Sequence, residues 1–296
     1  METYRRPKRV NLDPYLLLSP ALFFLLLFVA YPLVNTVVFS FFKYTLTGAE
    51  REFVGLANYV RLRHDPIFWK SLGNNVFILV GSVIFQVGGG LILASVLHRG
   101  LRRGAVVYRT LIFTPVVMSA VAVGILWKLI YSPANGLLTQ IFRAFHWPLP
   151  QQGWLGDPHM VMPAILVVAC WEFTGFMTVI MLAGMQSVPE DLYEAATLDG
   201  ANALQSFLYI TLPLMRNVII AATLLTMIGA FKVFDLVYVL TMGGPANASQ
   251  VLGTYVFYNA FTLGEAGYAN ALSVMLLLFA LVLGIGQLRF SSSFRR

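Results

Sequence analysis

Three ionisable residues, Glu172, Lys232 and Asp235, lie inside stretches that are otherwise apolar. A charge at the centre of a bilayer costs at least about 2.5–3.5 kcal/mol on insertion scales, so such groups face a bundle interior or water. Lys232 and Asp235 are three residues apart and can pair along one helix. Glu172 can instead reach Lys232 from a neighbouring helix. The charges then either neutralise one another and fix packing or serve a transport path. Around Asp235 runs a stripe of Phe231, Phe234, Asp235, Tyr238 and Thr241 or Met242 at i, i+3, i+4, i+7 spacing. It sets aromatic faces beside a carboxylate and hydroxyls. That chemistry suits sugars, which present flat C–H faces ringed by hydroxyls, although the same spacing also describes plain helix packing. Trp171 and Phe173 flank Glu172 and are weaker members of the same group.

Reactive chemistry has little to stand on. No G-x-x-x-x-G-K-[ST] phosphate loop occurs, and Gly88-Gly89-Gly90 is not followed by the Lys-Ser/Thr such a loop needs, so it reads as close helix contact. The four histidines, His64, His98, His146 and His159, are scattered, with no metal-ligand spacing and no nucleophile constellation. Neither a catalytic nor a metal site is expected. The single cysteine, Cys170, lies in an apolar run, reads as packing and excludes an intrachain disulfide. If ATP drives this protein, another chain must hydrolyse it.

The elements that must hold these residues are membrane spans. Hydrophobic residues make up 58% of the 296 and charged residues 11%, against roughly 25% charged in a soluble domain. Uncharged runs exceed the roughly 20 residues a spanning helix needs, and they lack the alternation of a barrel strand. The class is all-α, a polytopic membrane protein forming one domain over 1–296, with six spans expected at 15–39, 74–97, 110–131, 160–184, 218–241 and 268–288. The start, METYRRPKRV, resembles a signal n-region, but the uncharged run from Pro14 to Phe42 is too long for a cleavable segment and reads as a retained anchor. With the N-terminus inside, twelve of the twenty basic residues are cytoplasmic, led by Arg5, Arg6, Lys8 and Arg9, so both termini are expected in the cytoplasm. The net charge of +7 then reports loop ends next to the lipid bilayer and not nucleic-acid binding.

Between the fourth and fifth spans lies a polar stretch, 189–213. Pro189 suits the first position of a helix, and Glu190 and Asp191 suit the positive end of its dipole. A short helix to about Leu198 is expected, then a turn at Asp199-Gly200 with Gly200 at positive φ, then a second helical piece over Gln205–Tyr209. Such a helical knob beneath the bilayer fits a groove in a soluble partner.

The spacing of Glu194-Ala195-Ala196, Gly200, Ile210, Leu212 and Pro213 resembles the EAA loop of importer-type ABC permeases, EAA-x3-G-x9-I-x-LP, at every fixed position. FVGLANY at Phe53–Tyr59, Arg109…Pro115 and Leu240-Thr241-x-Gly243-Gly244-Pro245 extend the resemblance along most of the chain, towards carbohydrate-uptake permeases of the maltose and glycerol-3-phosphate type. The chain lacks the large inserted periplasmic domain of the maltose permease and is nearer the family's shorter members. The resemblance implies a type I importer permease fold in a bacterial or archaeal cytoplasmic (inner) membrane. It implies that Glu194, Ala195, Ala196, Gly200, Ile210, Leu212 and Pro213 couple the chain to an ATP-binding cassette dimer that holds the ATP and Mg, no cofactor being expected in this chain. It further implies a second, similar permease as a heterodimer partner and an extracytoplasmic solute-binding protein. Glu172, Phe231, Phe234, Asp235, Tyr238 and Thr241 become residues of a path for a sugar or polyol phosphate. The rival is a secondary, ion-coupled transporter with Glu172 and Asp235 as its proton relay.

Overall fold

The computed structural model describes residues 13–48, 50–100 and 105–293. The basic residues Arg5, Arg6, Lys8, Arg9, Arg102, Arg103, Arg295 and Arg296 lie outside them. Among the described residues the regular structure is helical apart from one two-stranded hairpin and an isolated bridge between Thr45 and Glu265.

The first helix, α1 (Leu16–Phe39), is followed by the hairpin of β1 (Phe42–Lys43) and β2 (Glu52–Phe53) and by the short α2 (Ala57–Arg63). Then comes α3 (Pro66–His98), which starts eight residues before the expected 74. The Asp65-Pro66 pair explains the difference. Asp65 Oδ1 accepts from the N–H groups of Ile67 and Phe68 at 2.8 and 3.3 Å, and Pro66 occupies the first turn, where its missing N–H costs nothing.

The third expected span, 110–131, is not one rod. It is α4 (Ala105–Val117) and α5 (Ala120–Ile130), bent by 100° at a break where Ser119 caps the second piece. Next come α6 (Leu137–Ala144) and α7 (Val161–Met185), the latter as expected. The polar stretch contains α8 (Glu190–Leu198) and α9 (Ala203–Leu214), and α9 meets α10 (Arg216–Lys232) at 71°. The expected fifth span, 218–241, also breaks: α10 stops at Lys232 and α11 (Asp235–Thr241) starts anew. A last pair, α12 (Leu252–Phe257) and α13 (Ala266–Ser293), closes the chain. Among the described residues four helices are long and apolar enough to cross a membrane, and six spans result if each bent pair counts as one.

Helix α7 is the central post. It runs parallel to α3: Gly81 faces Leu166, Gln86 Nε2 donates to the Ala169 carbonyl at 3.2 Å, and Gly90 abuts Met177. The expected contact at the glycine triplet is therefore made by its last member, while Gly88 has open space around it. Because α3 and α7 are parallel, Asp65 and the start of α7 share one end of the bundle, and the 189–213 loop sits at the other. A core of Ile78, Val123, Ile165 and Val237 lies towards the Asp65 end, and one of Ala94, Met181, Met185 and Met215 towards the loop.

At the first end, Asp65 joins three helices. Besides capping α3, its Oδ2 accepts from the hydroxyls of Tyr255 and Tyr268, each at 2.5 Å. Arg61 lies 4.1 Å over the Tyr268 ring and pairs with Glu265 at 2.7 Å. Burial alone pushes the Asp65 carboxyl up, but the two hydroxyls and two backbone N–H groups outweigh it and hold it below the ordinary carboxylate value. A carboxyl lowered by folding stabilises the fold above its unfolded value, about 4, and loses that contribution as pH falls through the lowered one. Thermal unfolding of detergent-solubilised protein should therefore show no contribution from Asp65 to pH dependence between pH 5 and 8 and a drop at more acid pH. Asp65→Ala should lose about 1–2 kcal/mol for the cap alone and flatten the acid limb. An acid limb identical in both proteins would refute the assignment.

Candidate functional site

The chain presents two places where its residues can act. The first is the loop 189–213. Helix α8 ends in a Schellman turn: Ala201 N–H donates to the Ala196 carbonyl at 2.8 Å, Gly200 N–H donates to Thr197 at 3.1 Å, and Gly200 has φ +80°. The next piece opens at once with a capping box, Asn202 and Gln205 each accepting the other's backbone N–H at 2.8 Å. Tyr193 and Thr211 hydroxyls, 2.8 Å apart, tie the two limbs together. Pro189 stands at the N-cap and not inside the helix, so Glu190 is the first helical residue.

This knob is fixed from within and presents exposed apolar side chains among exposed acids outside. Leu198 is 89% exposed and Tyr209 76%, with Leu204 exposed beside them. Glu194 and Ala195 are exposed, Ala196 half-buried, Gly200 and Pro213 exposed, and Ile210 and Leu212 half-buried towards the bundle. Glu190, Tyr193, Glu194, Thr197 and Leu198 line a shallow groove along one face of α8.

The second place is a cavity of about 390 Å³ between α3, α7 and the α10–α11 break. Its polar lining is Ser82, Gln86, Glu172, Thr226, Lys232 and Asp235, and its aromatic lining is Phe173, Phe176 and Phe234. Glu172 is only 4% exposed. Among the described residues, Glu172, Lys232 and Asp235 form no ion pair with one another, so the expected pairings of Lys232 with Asp235 or Glu172 are not made. The break between Lys232 and Asp235 removes the helical register the first of them needs.

That break also divides the expected aromatic stripe. Phe234 and Asp235 line the cavity, but Phe231 is 3% exposed and packs in the core with Val123 and Ile165. Tyr238 stacks on Phe234 (centroids 5.3 Å apart) and meets the edge of Phe257, outside the cavity lining. Thr241 is occupied by the Val237 carbonyl at 3.0 Å and Ser249 Oγ at 2.7 Å. Trp171 faces away, into a separate apolar recess with Trp127 and Leu137. The sequence reading missed Gln86, whose amide in an apolar run was the available signal, and Gly229, which carries no signal of its own.

The sequence that folds into this bent helical bundle matches a known family. The profile described as "Binding-protein-dependent transport system inner membrane component" covers residues 86–296. The chain belongs to this family. It is a multi-pass component of the inner membrane and a transporter subunit, not an enzyme. Among relatives of this inner membrane component, the probable ABC transporter permease YurN of Bacillus subtilis is 42% identical, covering 94% of this chain and 95% of that protein. The trehalose/maltose permease MalF of Thermococcus litoralis is 37% identical, over 91% and 89%. The lactose permease LacF of Rhizobium radiobacter is 33% identical, over 94% and 93%. The fold agrees with a crystal structure of a bacterial ABC transporter that imports alginate, at a TM-score of 0.83 and 21% identity over 97% of each chain. The ion-coupled alternative finds no support in these relationships.

Proposed function

We propose that this chain is the permease subunit of an ATP-driven importer for a sugar or related polyol phosphate, and that the cavity is its share of the translocation path. The observation that carries the path is the cavity itself: a buried carboxyl, an amide and two exposed charges alternate with three phenylalanine faces. Apolar ring faces beside hydrogen-bonding groups suit polyhydroxylated rings. Trehalose, maltose and lactose in the names of relatives point to the same ligand class. Glu172, Phe234 and Asp235 are its path residues; Phe231, Tyr238 and Thr241 act behind them as packing.

The loop 189–213 is the docking site of a separate ATPase dimer, which holds the ATP and Mg; this chain holds no cofactor. Glu194, Ala195, Ala196 and Gly200 face that partner, while Ile210, Leu212 and Pro213 seat the knob on the bundle. The whole chain, 1–296, is one membrane domain with both termini in the cytoplasm. The Asp65 end then faces out towards a solute-binding protein, and a second permease, a different chain, completes the path. ATP-driven closure of the ATPase dimer moves the knob and switches the cavity from inward-open to outward-open.

Purifying the complete transporter and measuring ATP hydrolysis over a panel of di- and oligosaccharides with the binding protein present tests the assignment. Stimulation by none of them would refute the sugar reading. Gly229 gives a sharper test. It lines the cavity, and a Cβ added there meets nothing within 4 Å, so a larger side chain starts into open space. Gly229→Leu should lower uptake at least about tenfold, equivalent to about 1.4 kcal/mol, with the amount of membrane-inserted complex unchanged. Full uptake by this variant would remove the cavity from the path.

A further inference from the structure

The cavity owes its shape to the break in the fifth span. Lys232, Val233, Phe234 and Asp235 all line it. Four consecutive residues of a continuous helix spread around nearly the whole axis, so they cannot share one cavity. Here α10 ends with Val233 at φ −62°, ψ 112° and Phe234 at φ −135°, ψ −59°, neither of them helical. Stopping α10 at Lys232 deprives its last carbonyls, including that of Ala230, of their helical donors. The start of α12 likewise has backbone donors to satisfy.

One side chain meets both needs. Asn75, on α3 and fully buried, donates from Nδ2 to the Ala230 carbonyl at 2.8 Å and accepts at Oδ1 from Leu252 N–H at 2.8 Å. Its neighbour Asn74 donates to the carbonyls of Ala248 and Gln250 at 2.9 and 2.7 Å, holding the segment that leads into α12. We infer that Asn75 is a positioning residue for transport: by taking an orphaned carbonyl of α10 and an orphaned N–H of α12, it holds the fifth span open at Val233–Phe234 and so presents Phe234 and Asp235 to the cavity. An amide is the fitting group, because it is the neutral side chain that offers a donor and an acceptor on one planar tip. Leaving either backbone group unmet inside the bundle is costly. The simplest way to satisfy the carbonyl without Asn75 is to continue the helix.

That continuation has a readable geometry. Leu225, Thr226, Ile228, Gly229, Ala230 and Lys232 of α10 line the cavity, an arc centred on Gly229. Extending α10 as a helix puts Phe234 about 140° from Gly229, beyond the edge of that arc, while Lys232 stays within it. The test uses the full transporter in membrane vesicles, in a Cys170→Ala background. Lys232→Cys, Val233→Cys, Phe234→Cys and Asp235→Cys are introduced singly and treated with a membrane-impermeant methanethiosulfonate reagent. With Asn75 present all four should react. With Asn75→Leu, reaction at Phe234→Cys should fall at least about tenfold relative to Lys232→Cys. A loss of stability alone lowers the amount of protein and does not change this ratio. An unchanged ratio would overturn the inference. Should Asn75→Leu be missing from the membrane, the smaller Asn75→Ala, which likewise loses the donor to Ala230 and the acceptor for Leu252, takes its place. It should insert and show a several-fold fall in the ratio. Its absence from the membrane, or a parental ratio, would likewise overturn the inference. The labelling does not depend on the cavity being the solute path. Normal labelling loss with undiminished uptake would refute the path reading and leave the role of Asn75 at the break intact.

Discussion

Glu194→Lys should abolish solute uptake and binding-protein-stimulated ATP hydrolysis while the helical bundle stays inserted. Glu194 is exposed, accepts no hydrogen bond within the described chain, and lines the groove on α8 with Tyr193 and Leu198. Among the described residues no ion pair or hydrogen bond uses its charge. What the fold does use lies underneath: the Schellman turn, the Asn202–Gln205 box and the Tyr193–Thr211 bond fix the backbone of the knob before any partner arrives. A rigid projection with Leu198 and Tyr209 laid open has the make-up of an interface hot spot, where one truncation costs about 2–4 kcal/mol. Reversing a charge there adds a like or unpaired charge against the partner, so a loss of about 30- to 1000-fold is expected. The comparison variant is Thr211→Val, which removes the same hydroxyl bond from a buried position and leaves the groove surface unaltered; its uptake should fall far less. Wild-type uptake by Glu194→Lys would discard the coupling assignment. Equal losses in both variants would place the effect in knob stability and not in partner contact.

The loop was the most legible part of the chain because its structure is local. Asp199 and Gly200 act within a few residues of themselves, so turn chemistry alone places them; the Asn202–Gln205 box is as local, yet the second helical piece starts at Ala203 and not at the expected Gln205. The long spans were legible for the same reason: twenty apolar residues determine a crossing without reference to neighbours. The fifth span was not. Its residues 231–235 carry neither proline nor glycine, and nothing local marks a break at Val233. The bonds that sustain it come from Asn75, 155 residues from Ala230 and 177 from Leu252. A helical stripe drawn through that point therefore assigned Phe231, Tyr238 and Thr241 to a face they do not share. Asn74-Asn75 in an apolar run was visible as an anomaly, but only the tertiary fold shows which backbone groups those amides serve. The early start of α3 was a different kind of miss, since Asp65-Pro66 spells a helix start that a count of apolar residues passes over.

Gly175→Ala should do the greatest damage of any single-methyl change considered, by preventing α7 from seating against α4. A Cβ at Gly175 would fall inside contact distance of the Ile112 carbonyl and of Phe113 N, all of it backbone. Relief by a rotamer change is therefore impossible, and one helix must move. Overpacking costs typically about 1–3 kcal/mol where side chains can adjust; here the cost should reach or exceed the top of that range. The consequence reaches function because Glu172 lies three residues earlier on α7, so displacing the helix carries the buried carboxyl of the cavity with it. Two glycines separate the possibilities. Gly229→Ala adds a methyl at a position with no atom within 4 Å and should leave folding unaffected, whereas Gly175→Ala should lower both the yield of monodisperse protein in detergent and its unfolding temperature. Comparable yields and unfolding temperatures for the two variants would mean that α4 and α7 do not approach at Gly175 in the assembled transporter. That outcome would also remove the reason to place the wall of the cavity where α7 now holds it.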